Sequence, residues 1–207
     1  MKAIVFDLDN TLIDWKPEFI FALVTVLKDM KYNFSEDIIH KIDNCIDENE
    51  KHHQKLSKEE LLIFINNNCN LNLPLEFIDK LIEKQKECIY SDRMLVKVIK
   101  YLSKKYDLYV VTNWFTETQK GRLDNMGILK YFKEVIGADI NYFKPDKKAF
   151  DKILEKYKPE ECISIGDTLE NDVKTPLSLG MKALWKTNEK STEYTTFSNL
   201  EELMALL

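Results

Sequence analysis

Short apolar runs alternate with stretches of helical spacing along most of this chain. The first run, residues 2–6, ends in Ala3, Ile4, Val5 and Phe6, and a charged loop beginning at Asp7 stops it at once. A continuous apolar run this short is the pattern of a strand buried on both faces, as in a parallel sheet. Comparable runs at 108–112, 134–138, 162–166 and 182–185 each precede or follow a segment of helical period. That alternation predicts an α/β fold built on a doubly wound parallel sheet. Helix starts are expected where Thr116 precedes Gln119 and Ser198 precedes Glu201 at capping-box spacing, and where Asp146 follows Pro145.

From about residue 14 to about residue 91 the rhythm breaks, and helical periodicity continues with little strand signal. Phe19, Leu23, Val26 and Leu27 trace one apolar face, and Ile38, Ile42, Cys45 and Ile46 trace another. Ser57 and Glu60 box the start of a third helix, and Pro74 suits the first turn of a fourth. The expected organisation is a Rossmann-like core, residues 1–14 and 92–207, with an inserted all-helical cap domain, residues 15–91. The crossings, at Asp14 and Trp15 and at Tyr90, Ser91 and Asp92, are where a hinge is expected.

Composition narrows the function. With 207 residues and 44% hydrophobic content, the chain can bury a core and carry a substantial insertion. The net charge of −5 offers no broad basic field, so neither nucleic acid nor an anionic membrane surface is expected as the main partner. No stretch reaches the ~20 apolar residues of a membrane span, and the opening run is shorter than a signal segment. A cytoplasmic monomer or homodimer is the expectation. Cys45, Cys69, Cys88 and Cys162 are widely spaced, with no histidine at a zinc-ligand interval, and read as reduced structural thiols. His52 and His53, beside Lys51 and Gln54, read as a solvated polar face.

In an open parallel sheet, ligands sit beyond the carboxyl ends of the strands. Those ends bear Asp7 and Asp9 after the first run and Thr112 and Asn113 after the second. Lys144 follows the third run, and Gly166, Asp167 and Asp172 follow the fourth. Such groups suit phosphoryl transfer, in which positioning and charge stabilisation supply most of the catalysis. Asp7 can attack phosphorus, and Asp9 can protonate the leaving oxygen and later deprotonate water. Thr112 offers a hydroxyl, the backbone N–H of Asn113 another donor, and Lys144 a fixed positive charge to a phosphate. Two like charges ~4 Å apart repel by about 4 kcal/mol at an effective dielectric near 20, so the carboxylates demand a cation. Mg²⁺ suits these hard oxygen ligands. Asp7 and Asp167 are assigned to it by side chain and Asp9 by its backbone carbonyl, with Asp172 orienting Lys144 or a metal-bound water.

Singly, each residue has an ordinary explanation: the aspartates as turn formers, Lys144 as a surface lysine, Thr112 as a strand end. Asp7, Asp9, Thr11 and Glu18 even fall at EF-hand spacing, but Leu12 occupies the position that needs glycine, and a strand precedes the loop. Their joint placement at successive strand ends is what argues for a site.

Four segments together resemble the haloacid dehalogenase superfamily of phosphatases. Residues 7–12, reading Asp-Leu-Asp-Asn-Thr-Leu, resemble its nucleophile motif, Thr112 its second motif, Lys144 with Pro145 its third, and residues 166–172 its fourth. The resemblance spans nearly the whole chain and implies a Rossmann-like core, Mg²⁺, and a helical cap that closes over a small-molecule phosphate ester such as a sugar phosphate or nucleoside monophosphate. A phosphomutase, or a silent binding protein on the same fold, would use the same residues. The chain departs from the usual pattern at Trp114 and Phe143, where glycine is common, and this puts bulk near the phosphate pocket.

Overall fold

A computed structural model describes residues 1–87 and 92–207 of the chain. Strands β1 (Ala3–Phe6), β2 (Asp107–Thr112), β3 (Phe132–Gly137), β4 (Cys162–Gly166), β5 (Lys182–Lys186) and β6 (Thr196–Phe197) form one sheet in the order β3-β2-β1-β4-β5-β6. Every pairing is parallel. All four residues of β1 are buried, because this strand is central and covered on both faces. The chain winds outward from β1 through β2 to β3, then returns to β4 on the other side of β1. The carboxyl ends of β1 and β4 therefore flank the topological switch point, where a crevice forms. The strand at 132–137 begins two residues before its predicted run, and β6 is too short to have left a sequence signal.

Helices α1 (Trp15–Asp29), α2 (Glu36–His52), α3 (Lys58–Cys69) and α4 (Leu75–Lys86) stand between β1 and β2 in the chain; α5 (Arg93–Leu102) and α6 (Thr116–Asn125) flank β2. Shorter helices α7 (Asp151–Leu154), α8 (Thr175–Ser178) and α9 (Leu203–Leu206) follow. Side-chain caps start several of them, since the first backbone N–H groups of a helix have no partner within it. Ser35 accepts from Ile38, Ser57 from Glu60 and Asp92 from Met94. Pro74, which has no N–H to leave unpaired, stands at the N-cap of α4. In α2 the buried apolar residues are Ile39, Ile42, Cys45 and Ile46, while Ile38 is half-buried, so the apolar stripe starts one residue later than its spacing suggests.

Two predicted caps are corrected. Thr116 is the first residue of α6 rather than its cap, and both its N–H (2.8 Å) and its hydroxyl (2.6 Å) donate to Asp139 Oδ1 from beyond β3. A carboxylate from another segment outcompetes the local cap and frees Gln119 to turn inward. At the C-terminal end the box is shifted by one: Glu202 Oε1 accepts from the backbone N–H groups of both Ser198 and Asn199. Asp146 does cap, accepting from Lys148 N at 2.9 Å, but it opens a 3₁₀ turn, Lys147–Phe150, instead of an α-helix.

One face of the sheet packs Ile4, Phe6 and Val110 against Leu95 and Ile99 of α5; the other packs Val5, Tyr109 and Val111 against Phe150 and Ile153. A further apolar cluster fills the space between α1, α2, α3 and α4. It takes in Trp114 and Phe115 from the loop after β2, and Ala138 and Phe143 from beyond β3. Main-chain hydrogen bonds run the same way, from Leu56 N to Ala138 O and from Phe143 N to Gln54 O, both at 3.0 Å. Cys45, Cys69 and Cys162 are buried free thiols. Cys88, and the crossing expected at Tyr90 and Ser91, lie outside the described residues. Among the described residues no helix is long and apolar enough to cross a membrane.

Phe77 is fully buried at the centre of the helical cluster. Phe77→Ala is expected to lower the unfolding free energy by about 3–5 kcal/mol, the usual loss for emptying a phenyl site. Urea titration reads this directly, and a loss under about 1 kcal/mol would mean that the helices relax into the space.

Candidate active site

Asp7 follows β1 and Asp167 follows β4, and pairing of Phe6 with Ile165 brings the two turns side by side. Asp7 N–H continues the ladder to Ile165 O at 2.9 Å. The side chain of Asp7 is nine-tenths buried, with Oδ1 accepting from Lys144 Nζ at 2.8 Å and Oδ2 from Thr11 Oγ1 at 3.1 Å. The same Lys144 ammonium donates to Asp172 Oδ1 at 2.7 Å, and Asp172 Oδ2 accepts from Thr168 N–H at 3.1 Å. Gly166 makes this approach feasible: a Cβ there would lie 2.2 Å from Asp172 Cγ. Thr11 Oγ1 also lies 3.3 Å from Asp167 Oδ1, but one hydroxyl proton serves only one of the two carboxylates at a time.

Oxygens of Asp7, Asp167 and Asp172 all lie within 4.8 Å of one another. Three carboxylates against one ammonium leave this cluster two charges negative. The strain is visible in the protonation equilibria. Burial pushes the Asp7 carboxyl well above its ordinary range; Lys144 pulls it down, while Asp172, Asp167 and Asp9 push it further up. Burial and then Asp172 raise Asp167 too. For Lys144, burial works against the charge, but Asp172 and Asp7 more than compensate, so the ammonium is held more firmly than usual. Converging hard oxygen donors with an excess charge of two fit a divalent, oxygen-seeking cation such as Mg²⁺.

The other expected residues line the same cavity, of about 160 Å³, with Asp9, Asn10, Thr112 and Asn113 on the sheet side and Trp15, Ile46, Asp47 and Glu50 contributed by α1 and α2. Asp9, however, is occupied. Its Oδ1 accepts from Arg122 at 2.5 Å and its Oδ2 from Gln119 Nε2, also at 2.5 Å. Gln119 Nε2 also donates to Thr112 Oγ1 at 2.9 Å. Arg122 is fully buried and reaches Glu18 of α1 as well, at 3.0 Å. The Asn113 side chain clamps the lysine loop, donating to Lys144 O (2.9 Å) and accepting from Lys144 N–H (2.8 Å). Its Nδ2 also donates to Glu50 Oε2 at 2.6 Å. Any contact of Asn113 with a phosphate thus falls to its main chain. Burial raises the Glu50 carboxyl to about 7, against the lowering pull of Asn113.

Sequence reasoning missed Gln119, Arg122, Glu50 and Lys186. Lys186, at the end of β5, donates to Asn10 O (2.7 Å) and Thr11 O (2.9 Å), tying down the turn after β1. Gln119 and Arg122 lie three apart on one face of α6, in a helix whose local pattern is too polar to mark a buried side. A helix with buried glutamine and arginine and few apolar residues is the one signal available, and it is visible only once the helix has been placed. Trp114, expected to put bulk near the pocket, lines the cavity while packing edge-on against Trp15 and Phe19 and donating its indole N–H to Gln85 Oε1 at 2.9 Å. His52 and His53 sit against Phe64, away from the cavity.

Residues 1–180 match the family described as haloacid dehalogenase-like hydrolase. Among curated proteins, the chain is 28% identical to human N-acylneuraminate-9-phosphatase over 209 residues, covering 88% of this chain and 81% of that one. It is 27% identical to the pyrimidine 5'-nucleotidase PynA of Streptococcus pneumoniae over 202 residues, covering 89% and 83%. Its fold superimposes on that of the HAD-hydrolase YfnB of Bacillus subtilis, a structure with magnesium bound, at a TM-score of 0.83 with 22% identity, covering 99% and 97%.

The raised Glu50 sets a pH dependence. Below its ordinary value of 4.5 the folded and unfolded chains both hold the proton, so there is no penalty. From there to about 7 the folded chain retains a proton that the unfolded one has lost, and the cost to folding grows, then stays constant above. The melting temperature of Glu50→Gln minus that of the parent, in chelator, is expected to grow across this window and level off above it; parallel curves would contradict burial as the cause. Removing Arg122 leaves two partly buried carboxylates facing each other. Arg122→Met should therefore lower stability by about 3–5 kcal/mol in denaturant titration, part of it recovered by adding Glu18→Gln.

Proposed function

Because the chain belongs to the haloacid dehalogenase-like hydrolases, we propose that it is a Mg²⁺-dependent phosphatase that cleaves small phosphomonoesters with Asp7 as nucleophile. The observation that carries this reading is the Asp7–Lys144–Asp172 arrangement beside Asp167, which supports a nucleophilic role for Asp7 next to a cation held by the converging carboxylates. The relatives named above are a phosphatase and a nucleotidase, both acting on phosphate esters, which supports hydrolysis over return of the phosphoryl group to a second hydroxyl.

Asp7 and Asp167 would hold Mg²⁺ by side chain and Asp9 by its carbonyl, with Asp172 close enough to assist. When bound, the ion supplies positive charge that offsets the carboxylates and the phosphoryl oxygens. Lys144 and the Thr112 hydroxyl orient the phosphoryl group against Asp7. An Asp7 carboxylate oxygen bonds to phosphorus, the bond from phosphorus to the ester oxygen breaks, and the leaving oxygen takes a proton from the Asp9 carboxyl. Water then attacks the aspartyl-phosphate, giving its proton to Asp9, and breakage of the phosphorus–Asp7 bond restores the carboxylate and releases inorganic phosphate. To do this, Asp9 exchanges its bond with Arg122 or Gln119 for the leaving oxygen, so that pair holds it in readiness between turnovers. Helices α1, α2, α3 and α4 act as a cap domain, and a cavity of about 160 Å³ under it admits a small ester and excludes a polymer.

The test is phosphate release from a panel of phosphomonoesters with Mg²⁺ and with chelator. Release is expected only with the metal and should return on its re-addition. Asp7→Asn should abolish turnover with the melting temperature nearly unchanged, and Asp9→Asn should slow it by about 10²–10⁴. Turnover surviving Asp7→Asn would refute the nucleophile assignment.

A further inference from the structure

We propose that the leaving-group side of this pocket selects esters of uncharged, hydroxyl-bearing alcohols and rejects those bearing a second anion, with Glu50 as the selecting side chain. This rests on the phosphomonoesterase reading above and deepens it. Among the described residues that line the cavity there are six carboxyl groups and a single cation, Lys144. That ammonium is already shared between Asp7 and Asp172 and stands at the phosphoryl end. Arg122 does not line the cavity and is paired with Asp9 and Glu18. A carboxylate or second phosphate on the alcohol would therefore meet no cation on this wall.

It would instead meet Glu50 and Asp47, the two acidic groups that α2 presents to the cavity. Glu50 is held by one oxygen only. Asn113 donates to Oε2, while Oε1 has no hydrogen bond to a described residue. A half-buried carboxyl fixed in this way offers an acceptor to a hydroxyl and repels an anion, and its environment is poor enough in water for the discrimination to be felt. Beside it, Trp15, Trp114 and Ile46 supply apolar surface for the carbon face of a sugar or nucleoside. Donor hydroxyls on one side and a carbon face on the other are features of neutral polyols, whereas acidic metabolites of similar size carry an unmatched charge.

The experiment compares kcat/KM for esters matched in skeleton, with Mg²⁺ at pH 7.5: glycerol 3-phosphate against 3-phosphoglycerate, and glucose 6-phosphate against 6-phosphogluconate. The uncharged member should be favoured tenfold or more in both pairs, mainly through KM, and added salt should shrink the ratio by screening. Glu50→Gln should narrow the ratio at least threefold by relieving the repulsion. Equal kcat/KM within both pairs, or a ratio untouched by Glu50→Gln and by salt, would overturn the selection while leaving the phosphatase reading intact. No release from any of the four esters would overturn both. Should Glu50→Gln fail to fold, Asp47→Asn and the salt series on the parent protein decide the matter by the same ratio.

Discussion

The buried ammonium of Lys144 is the constraint on which the site depends. Three carboxylates converge where strands β1 and β4 end, and without a cation among them mutual repulsion would force them apart or drive them to take up protons. Much of the surrounding structure serves to bring that one charge to its place. Asn113 grips the lysine loop by both its N–H and its carbonyl, Phe143 anchors the preceding residue in the helical cluster, and Gly166 lets Asp172 approach from the far side. The ammonium compensates the site only partly, and the remaining negative charge suits the pocket to a divalent ion.

A second, independent pairing governs Asp9. Arg122 and Gln119 take one oxygen each, and Arg122 is shared with Glu18 from the first inserted helix. The two aspartates of the first turn are thereby set in different surroundings by their partners. One is tied to the lysine in the three-carboxylate cluster, and the other to an arginine beneath the inserted helices. Because Gln119 also bonds Thr112, the groups expected to grip phosphate and to move protons are linked by a single amide.

The sequence made the fold legible where burial is strong and local. Strands covered on both faces leave unmistakable apolar runs, so β1, β2 and β4 stand out; β5, in which only Leu184 is buried, shows by its short apolar run alone, and β6, two residues long, leaves nothing to detect. The residues gathered at the cavity were legible for a different reason. Asp7, Thr112, Lys144 and Asp167 each follow or end such a strand, and parallel topology converts that common position into proximity. Gln119, Arg122, Glu50 and Lys186 were not legible, because each sits within a helix or strand and meets its partner across 63 to 176 positions of chain. Thr116 shows the opposite failure: a sound local capping pattern lost to Asp139, a partner 23 positions away. Local rules describe what a segment can do alone, and they fail where tertiary neighbours offer a better hydrogen bond.

The bonds from Leu56 to Ala138 and from Phe143 to Gln54 give the inserted helices a third mooring, besides the two covalent crossings into the sheet. Phe143 immediately precedes Lys144 in the chain, so the peptide bridge that ties the inserted helices to the loop beyond β3 ends one residue from the ammonium. Where those helices sit and where the charge of Lys144 sits are therefore not independent: a change that loosens the Gln54 bridge would also loosen the loop that carries the lysine.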